Sequence, residues 1–259
     1  MPRLTSLSRS IAGAVAVVTG AGSGMGRATS FLFADEGASV AVVDRDAAAA
    51  EAVAREITGA GGTAVAWTLD VADTGAVQLV VDEVVARFGS LGIVVNNAGI
   101  SRPAPIGDDT YPAAWEQCLA VNLTGELNVI RAALPHLRRA EHARIVNIAS
   151  TEGLGATAYN SPYVAAKHGV VGLTRGLAVE LGSEGITVNC VCPGPIRTGM
   201  TEGIPDEAKT KFARRRVPLR RYGDPEEVAH VTLSLVLPAS SYITGAVVPV
   251  DGGLVAQNT

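Results

Sequence analysis

Short continuous apolar runs alternate along this chain with longer stretches in which apolar positions recur at helical spacing. Residues 14–18, 39–43, 64–69, 93–95, 144–148, 187–191 and 247–250 are Val- and Ile-rich runs, the pattern of strands buried on both faces. Between them, residues 27–36, 46–58, 74–88, 112–140, 160–182 and 224–237 read as helices, with Gly37 closing the first and Asp224-Pro225-Glu226 capping the last. Strands alternating with helices of this length describe βαβ units around a parallel sheet. Residues 200–222 break the pattern. They are irregular and basic, and are expected to form a mobile flap, within a segment from about residue 194, whose cations face solvent or an interface rather than clamp an anion. No linker or repeat interrupts the alternation, so residues 1–259 read as one α/β domain, with a cofactor half over about 10–150 and a catalytic and substrate half over about 150–259.

Composition narrows the functional classes. A net charge of −4 offers no global attraction to nucleic acid or anionic membrane, and neither partner is expected. Cys118, Cys190 and Cys192 lack a metal-ligand spacing and the four histidines do not cluster with them, so no metal is expected. Residues 1–10 hold no apolar core of signal-peptide length, and no apolar run approaches a membrane span. The expectation is a cytoplasmic protein acting on a small molecule.

The candidate chemistry gathers at strand ends. The first strand runs into Thr19-Gly20-Ala21-Gly22-Ser23-Gly24-Met25-Gly26 and then a helix, the context that a phosphate-binding loop requires. Its glycines let backbone N–H groups and a helix N-terminus approach a pyrophosphate. No Lys-Ser/Thr follows, which disfavours a nucleoside triphosphatase. Asp44, 24 residues after Gly20, ends the second strand, where a carboxylate can accept from ribose hydroxyls; a cap for the next helix is the alternative reading. Asn96 and Asn97 end the fourth strand, there to tie neighbouring backbone and a cofactor, or to make an ordinary turn before Gly99. Asn122 lies inside a long helix, where Asn is a poor former and an inward amide needs partners. Ser150 follows the fifth strand, and Tyr163-Val164-Ala165-Ala166-Lys167 opens the next helix. A spacing of four places the phenol and the ammonium one turn apart on one face. A cation beside a phenol favours its ionised form, which makes Tyr163 a candidate general acid/base.

In this order and spacing, including 13 residues from Ser150 to Tyr163, these segments together with Pro193-Gly194 resemble the classical short-chain dehydrogenase/reductase family over nearly the whole chain. The resemblance implies a Rossmann-type, doubly wound, seven-stranded parallel sheet in the order 3-2-1-4-5-6-7, with helices on both faces. It also implies roles. Tyr163 exchanges a proton with the substrate oxygen, Ser150 hydrogen-bonds that oxygen, Lys167 assists Tyr163 and holds the nicotinamide ribose, and Asn122 anchors a water linking Lys167 to solvent. Gly20, Ser23, Gly24, Met25 and Gly26 would hold the pyrophosphate, Asp44 and Arg45 the adenosine ribose, Asp70 and Val71 the adenine. Asn97, Ala98, Gly99, Pro193 and Gly194 would line the cofactor, and Ile196 and Thr198 would touch its carboxamide. Gly92 departs from the pattern, standing where many relatives carry Asp, as does Leu237-Pro238 at a helix end.

The implied activity is interconversion of a secondary alcohol and a ketone. A 3-oxoacyl-thioester reductase is the alternative, and a dinucleotide-binding protein without activity a distant third. Asp44 would meet the 2′-phosphate of NADP with like charge, while Arg45 could swing towards it and Ser23 adds no cation, so NAD is the expected cofactor. A homotetramer is also implied, pairing helices 112–140 and 160–182 across one dyad and the C-terminal helix and strand across another, with Ala165, Ala166, Gly169, Gly172 and Ala178 permitting close approach, or else packing on the chain's own sheet.

Overall fold

A computed structural model describes residues 4–257. Seven strands, β1 Val15–Thr19, β2 Ser39–Asp44, β3 Thr63–Thr68, β4 Ile93–Asn96, β5 Arg144–Ile148, β6 Thr187–Pro193 and β7 Val247–Val250, form one sheet in the order β3-β2-β1-β4-β5-β6-β7. Every pairing is parallel. The helices are α1 Gly24–Asp35, α2 Ala47–Gly59, α3 Thr74–Phe88, α4 Tyr111–Leu119, α5 Gly125–Leu137, α6 Ser161–Leu181, α7 Gly199–Glu202, α8 Asp206–Arg216 and α9 Pro225–Val236.

Alternation along each strand builds the three layers, because successive side chains point to opposite faces. Val15, Val17, Ala41, Val94, Ile145 and Val188 point to the side covered by α3, α5 and α6. Their neighbours Ala16, Val18, Val40, Val42, Ile93, Val95, Val146 and Val191 meet α1, α2 and α9. Small residues let these layers close tightly. Among the small residues of α6, Ala166 and Ala178 are buried within the chain, and a Cβ on Gly169 would come within 2.7 Å of Leu123. Those three positions therefore serve the chain's own packing rather than contact between copies, while Gly172 faces open space.

Two expectations are revised. Residues 112–140 do not form one helix: α4 and α5 are joined by a π turn, Ala120–Thr124, and the second helix stops at Leu137. Asn122 causes an interior polar demand there, and its amide is met by Ile100 and Cys118 rather than by solvent. A wide turn of this kind is frequent at functional sites. The segment 200–222 is not irregular. It holds most of α7 and all of α8, whose sequence has Asp206 and Glu207 in the first turn and Arg214, Arg215 and Arg216 in the last, the arrangement that complements the helix dipole. Only Ala213 of α8 is buried, so apolar periodicity could not reveal this helix.

Candidate active site

The chain leaves β1 towards β2 and β3, and leaves β4 towards β5, β6 and β7, so a crevice opens beyond the carboxyl ends of the adjacent strands β1 and β4. A cavity of about 700 Å³ occupies it. Gly20 turns the chain out of β1 with φ +62°, and a Cβ there would lie 2.8 Å from Ala98 Cα. The loops after β1 and β4 are thus pressed together. Asn97 joins them: its Nδ2 donates to the carbonyls of Thr19 and Gly20, at 2.9 and 3.0 Å, while Thr19 Oγ1 accepts from the N–H groups of Asn97 and Ala98. Asn96 does different work. Its buried Nδ2 donates to Asn147 Oδ1 on β5, and Asn147 Nδ2 in turn donates to Thr174 Oγ1 on α6.

Helix α1 begins three residues earlier than the sequence pattern suggests, inside the glycine loop, and its N-cap Ser23 makes no side-chain capping bond. The first-turn N–H groups lack intrahelical partners and no acidic side chain stands in that turn, which suits an anion. Ser23, Gly24 and Met25 line the cavity; Gly26 does not. A Cβ on Gly26 would collide with the Gly20 carbonyl and approach Asn97 Nδ2 to 2.5 Å, so its part is to let α1 pack against the loops.

Asp44 stands at the cavity's far end. Its Oδ2 accepts from Gly22 N–H at 2.9 Å and its Oδ1 from Asp46 N–H at 3.0 Å, leaving lone pairs on both oxygens for a ribose. The cap of α2 is Asp46, whose side chain accepts from Ala49 N–H, so the capping reading of Asp44 passes to its neighbour. Arg45 is exposed and lines the same cavity. Asp70 and Val71 reach it from the end of β3, where Asn128 Nδ2 on α5 holds the Val71 carbonyl at 3.0 Å. Pro193, Gly194, Ile196 and Thr198 supply the opposite wall, with Ala98 and Gly99 beside them.

The chemistry-bearing groups meet at the other end. Ser150 extends β5 and its Oγ accepts from Glu152 N–H at 3.1 Å. Tyr163, half-buried in the first turns of α6, faces the cavity with Ser150 and Lys167. Lys167 is 2% exposed; its Nζ lies 5.9 Å from the Tyr163 ring centre and donates to the Ile148 carbonyl at 2.6 Å. Asn122 lies outside the cavity lining. It is fully buried, and both its amide atoms bind the backbone of Ile100, which does line the cavity.

Glu126 was not foreseen. Its Oε1 lies 3.4 Å from Lys167 Nζ, and both side chains are 3% exposed. Burial pushes the Glu126 carboxyl up to about 8 although Lys167 pulls it down. Burial also opposes the Lys167 ammonium, but Glu126 and Tyr163 outweigh it and hold the group above its ordinary value. The signal in the sequence was an acidic residue on the apolar face of 125–133, which also carries Asn128.

Comparison with known proteins agrees with this architecture. A family model described as Enoyl-(Acyl carrier protein) reductase matches residues 20–255. The chain is 40% identical to a 3-oxoacyl-[acyl-carrier-protein] reductase of Thermotoga maritima, over 94% of this chain and 98% of that protein. It is 38% identical to a meso-2,3-butanediol dehydrogenase of Serratia marcescens, over 94% of this chain and 95% of that one. A short-chain type dehydrogenase/reductase from Mycobacterium marinum superposes with a TM-score of 0.91 at 33% identity, covering 96% of this chain and 98% of its own. Fold, crevice and these likenesses agree that the chain belongs to the classical short-chain dehydrogenase/reductase family of oxidoreductases.

Proposed function

We propose that the protein is an NAD-dependent dehydrogenase that interconverts a secondary alcohol and its ketone, with Tyr163 as general acid/base. The observation that carries this reading is one continuous cavity with the Asp44 carboxylate at one end and Ser150, Tyr163 and Lys167 at the other. The uncapped start of α1, the glycine loop and the free lone pairs of Asp44 fit a dinucleotide. When bound, the nicotinamide supplies the site that takes or gives the hydride. The chain's own residues handle the proton. In oxidation Tyr163 takes the hydroxyl proton from the substrate and in reduction returns one to the carbonyl oxygen. Ser150 donates to the same oxygen, Lys167 places its charge beside the Tyr163 ring and orients the nicotinamide ribose, and Asn122, through the Ile100 backbone, fixes the wall beside them.

A second reading, a 3-oxoacyl-thioester reductase, is favoured by the relative of that name. The cavity argues for a neutral substrate instead. Besides Ser150 and Tyr163 its lining includes Ile100, Ser101, Pro103, Asn160, Met200 and Thr201, and the cation that joins them there, Lys167, is already paired with Glu126. Of the basic residues after 200, Arg221 binds Glu227 through two 2.6 Å contacts, and Arg214, Arg215 and Arg216 sit exposed at the end of α8, outside the cavity lining. Following NADH formation across secondary alcohols, and its consumption with 3-oxoacyl thioesters, tests the proposal. Turnover confined to thioesters would favour the second reading, and none with either class would overturn both.

We further infer a cytoplasmic homotetramer. No helix among the described residues is long and apolar enough to cross a membrane. Val179 on α6 and Trp115 on α4 are 86% and 41% exposed, offering apolar contact on the helices expected to pair. Light scattering giving the monomer mass of 26.5 kDa would refute the assembly.

A further inference from the structure

Glu126 has no part in the proton transfer assigned to Tyr163, yet it is the acidic group in contact with Lys167 in the interior. A carboxylate and an ammonium are both poorly tolerated there unless each answers the other. Their geometry is specific. The Lys167 ammonium has three donors: one goes to the Ile148 carbonyl at 2.6 Å and one meets Glu126 Oε1 at 3.4 Å, while the group still reaches the cavity wall. Glu126 Oε2 has no hydrogen-bond partner among the described residues. A carboxylate held by one contact, with its second oxygen bare, is free to exist with or without its proton.

The charge of the pair bears on Tyr163. The ammonium stands 5.9 Å from the Tyr163 ring centre, and an ionised carboxylate behind that cation cancels part of the charge it presents there. We propose that Glu126 is a positioning residue for the alcohol–ketone reaction, acting through Lys167. It fixes the ammonium between β5 and α5 and, by keeping or losing its own proton, sets how much of the lysine's charge reaches Tyr163. This rests on the reading of Tyr163 as the group that exchanges the substrate's proton. The exchange at Glu126 itself is a simple one: the carboxyl O–H bond breaks and the proton leaves to solvent, or the reverse. Because burial lifts that carboxyl to about 8, the change falls where an alcohol dehydrogenase works.

The surroundings hold few competitors. Besides Lys167 and Tyr163 on α6, the titratable groups near the pair are Cys190 and Cys192 on β6 and Cys118 on α4. The two β6 thiols lie 3.8 Å apart, and that contact, with burial, pushes Cys190 up and keeps it protonated. Burial likewise pushes Cys118 up. Arg175 acts on Cys192.

The test is the pH dependence of kcat/KM for oxidation of a secondary alcohol with NAD, in wild type, Glu126→Gln and Glu126→Asp. Glutamine is neutral at every pH and leaves the lysine's charge uncancelled. The alkaline rise of kcat/KM should therefore move about one pH unit lower, so activity on the rising limb is about tenfold above wild type relative to each plateau. Aspartate restores the charge and should return the midpoint towards wild type with a lower plateau. A purely structural Glu126 would lower the melting temperature and leave the midpoint in place, and coincident midpoints for wild type and Glu126→Gln overturn the proposal. Should Glu126→Gln fail to fold, wild-type protein labelled with carboxyl-13C glutamate answers by NMR. One glutamate titrating near 8 is expected, and all of them titrating in the ordinary acid range would overturn it. If Tyr163→Phe keeps its activity, the reading of Tyr163 falls and this proposal with it. If Tyr163→Phe is inactive, the Glu126→Gln midpoint bears on Glu126 alone.

Discussion

Replacing Asp44 by Ala probes the coenzyme end of the cavity and can be worked through in numbers. The carboxylate is held by Gly22 and Asp46 N–H groups at 2.9 and 3.0 Å, so it does not swing aside when a ligand arrives. Were a 2′-phosphate to approach within about 4 Å of it, two unit charges at that separation would repel by about 4 kcal/mol at an effective dielectric of about 20. Asp44 is half-buried, so solvent and salt reduce that figure. Exposed Arg45 returns at most about 1 kcal/mol by pairing with the phosphate. On the proposed reading the expected outcome is a preference for NAD of at least about tenfold in kcat/KM, which needs only ~1.4 kcal/mol. The assay compares initial rates with NAD and NADP at one saturating alcohol concentration, for wild type and Asp44→Ala. The variant should bind NAD more weakly and accept NADP better, closing most of the gap. Equal or better efficiency of the wild type with NADP would show that Arg45, not Asp44, governs the pocket.

Three other outcomes follow from the same structure. Arg144, 2% exposed at the start of β5, has no partner for Nε or Nη2 among the described residues, and neighbouring Gly92 has room for a Cβ, 3.7 Å from Ala140; Gly92→Asp should raise the melting temperature by about 2–4 °C per kcal/mol gained, and a lower value would show the guanidinium already satisfied. The Glu126 carboxyl titrates near 8 in the folded chain against 4.5 ordinarily, so the native state keeps a proton that the unfolded chain releases, and its contribution, full below about 4.5, is lost as pH rises to about 8. Wild-type melting temperature should fall relative to Glu126→Gln across that window; parallel curves would refute the shift. Lys167→Ala should weaken both NAD binding and turnover, read by coenzyme titration and kcat, and unchanged coenzyme affinity would remove its second role.

What the sequence made legible was set by burial. The seven strands are apolar runs between polar ends, so their positions could be read from the chain, while the side each residue faces came only with the packed helices. Asp44, Ser150 and Tyr163 could be placed because they sit at strand ends or helix starts, where a parallel sheet gathers its ligands. Helix α8 escaped because its order comes from charges matched to its own dipole, with Ala213 alone buried. The π turn escaped because periodicity cannot show a single extra residue in a turn, even though Asn122 marked the place. Glu126 and the partly satisfied Arg144 escaped for a further reason: a charged residue within an apolar pattern shows its burial and its partners only once the elements are packed.

The central claim, that Tyr163 carries the substrate's proton, is tested most directly by Tyr163→Phe. The change deletes one hydroxyl at the cavity wall and leaves the ring, Lys167 and the coenzyme wall in place. With NAD and the best secondary alcohol, kcat should fall by about 100- to 10,000-fold while NAD affinity by titration stays near wild type. A variant retaining more than about a tenth of wild-type kcat, with chemistry rate-limiting, would contradict the assignment.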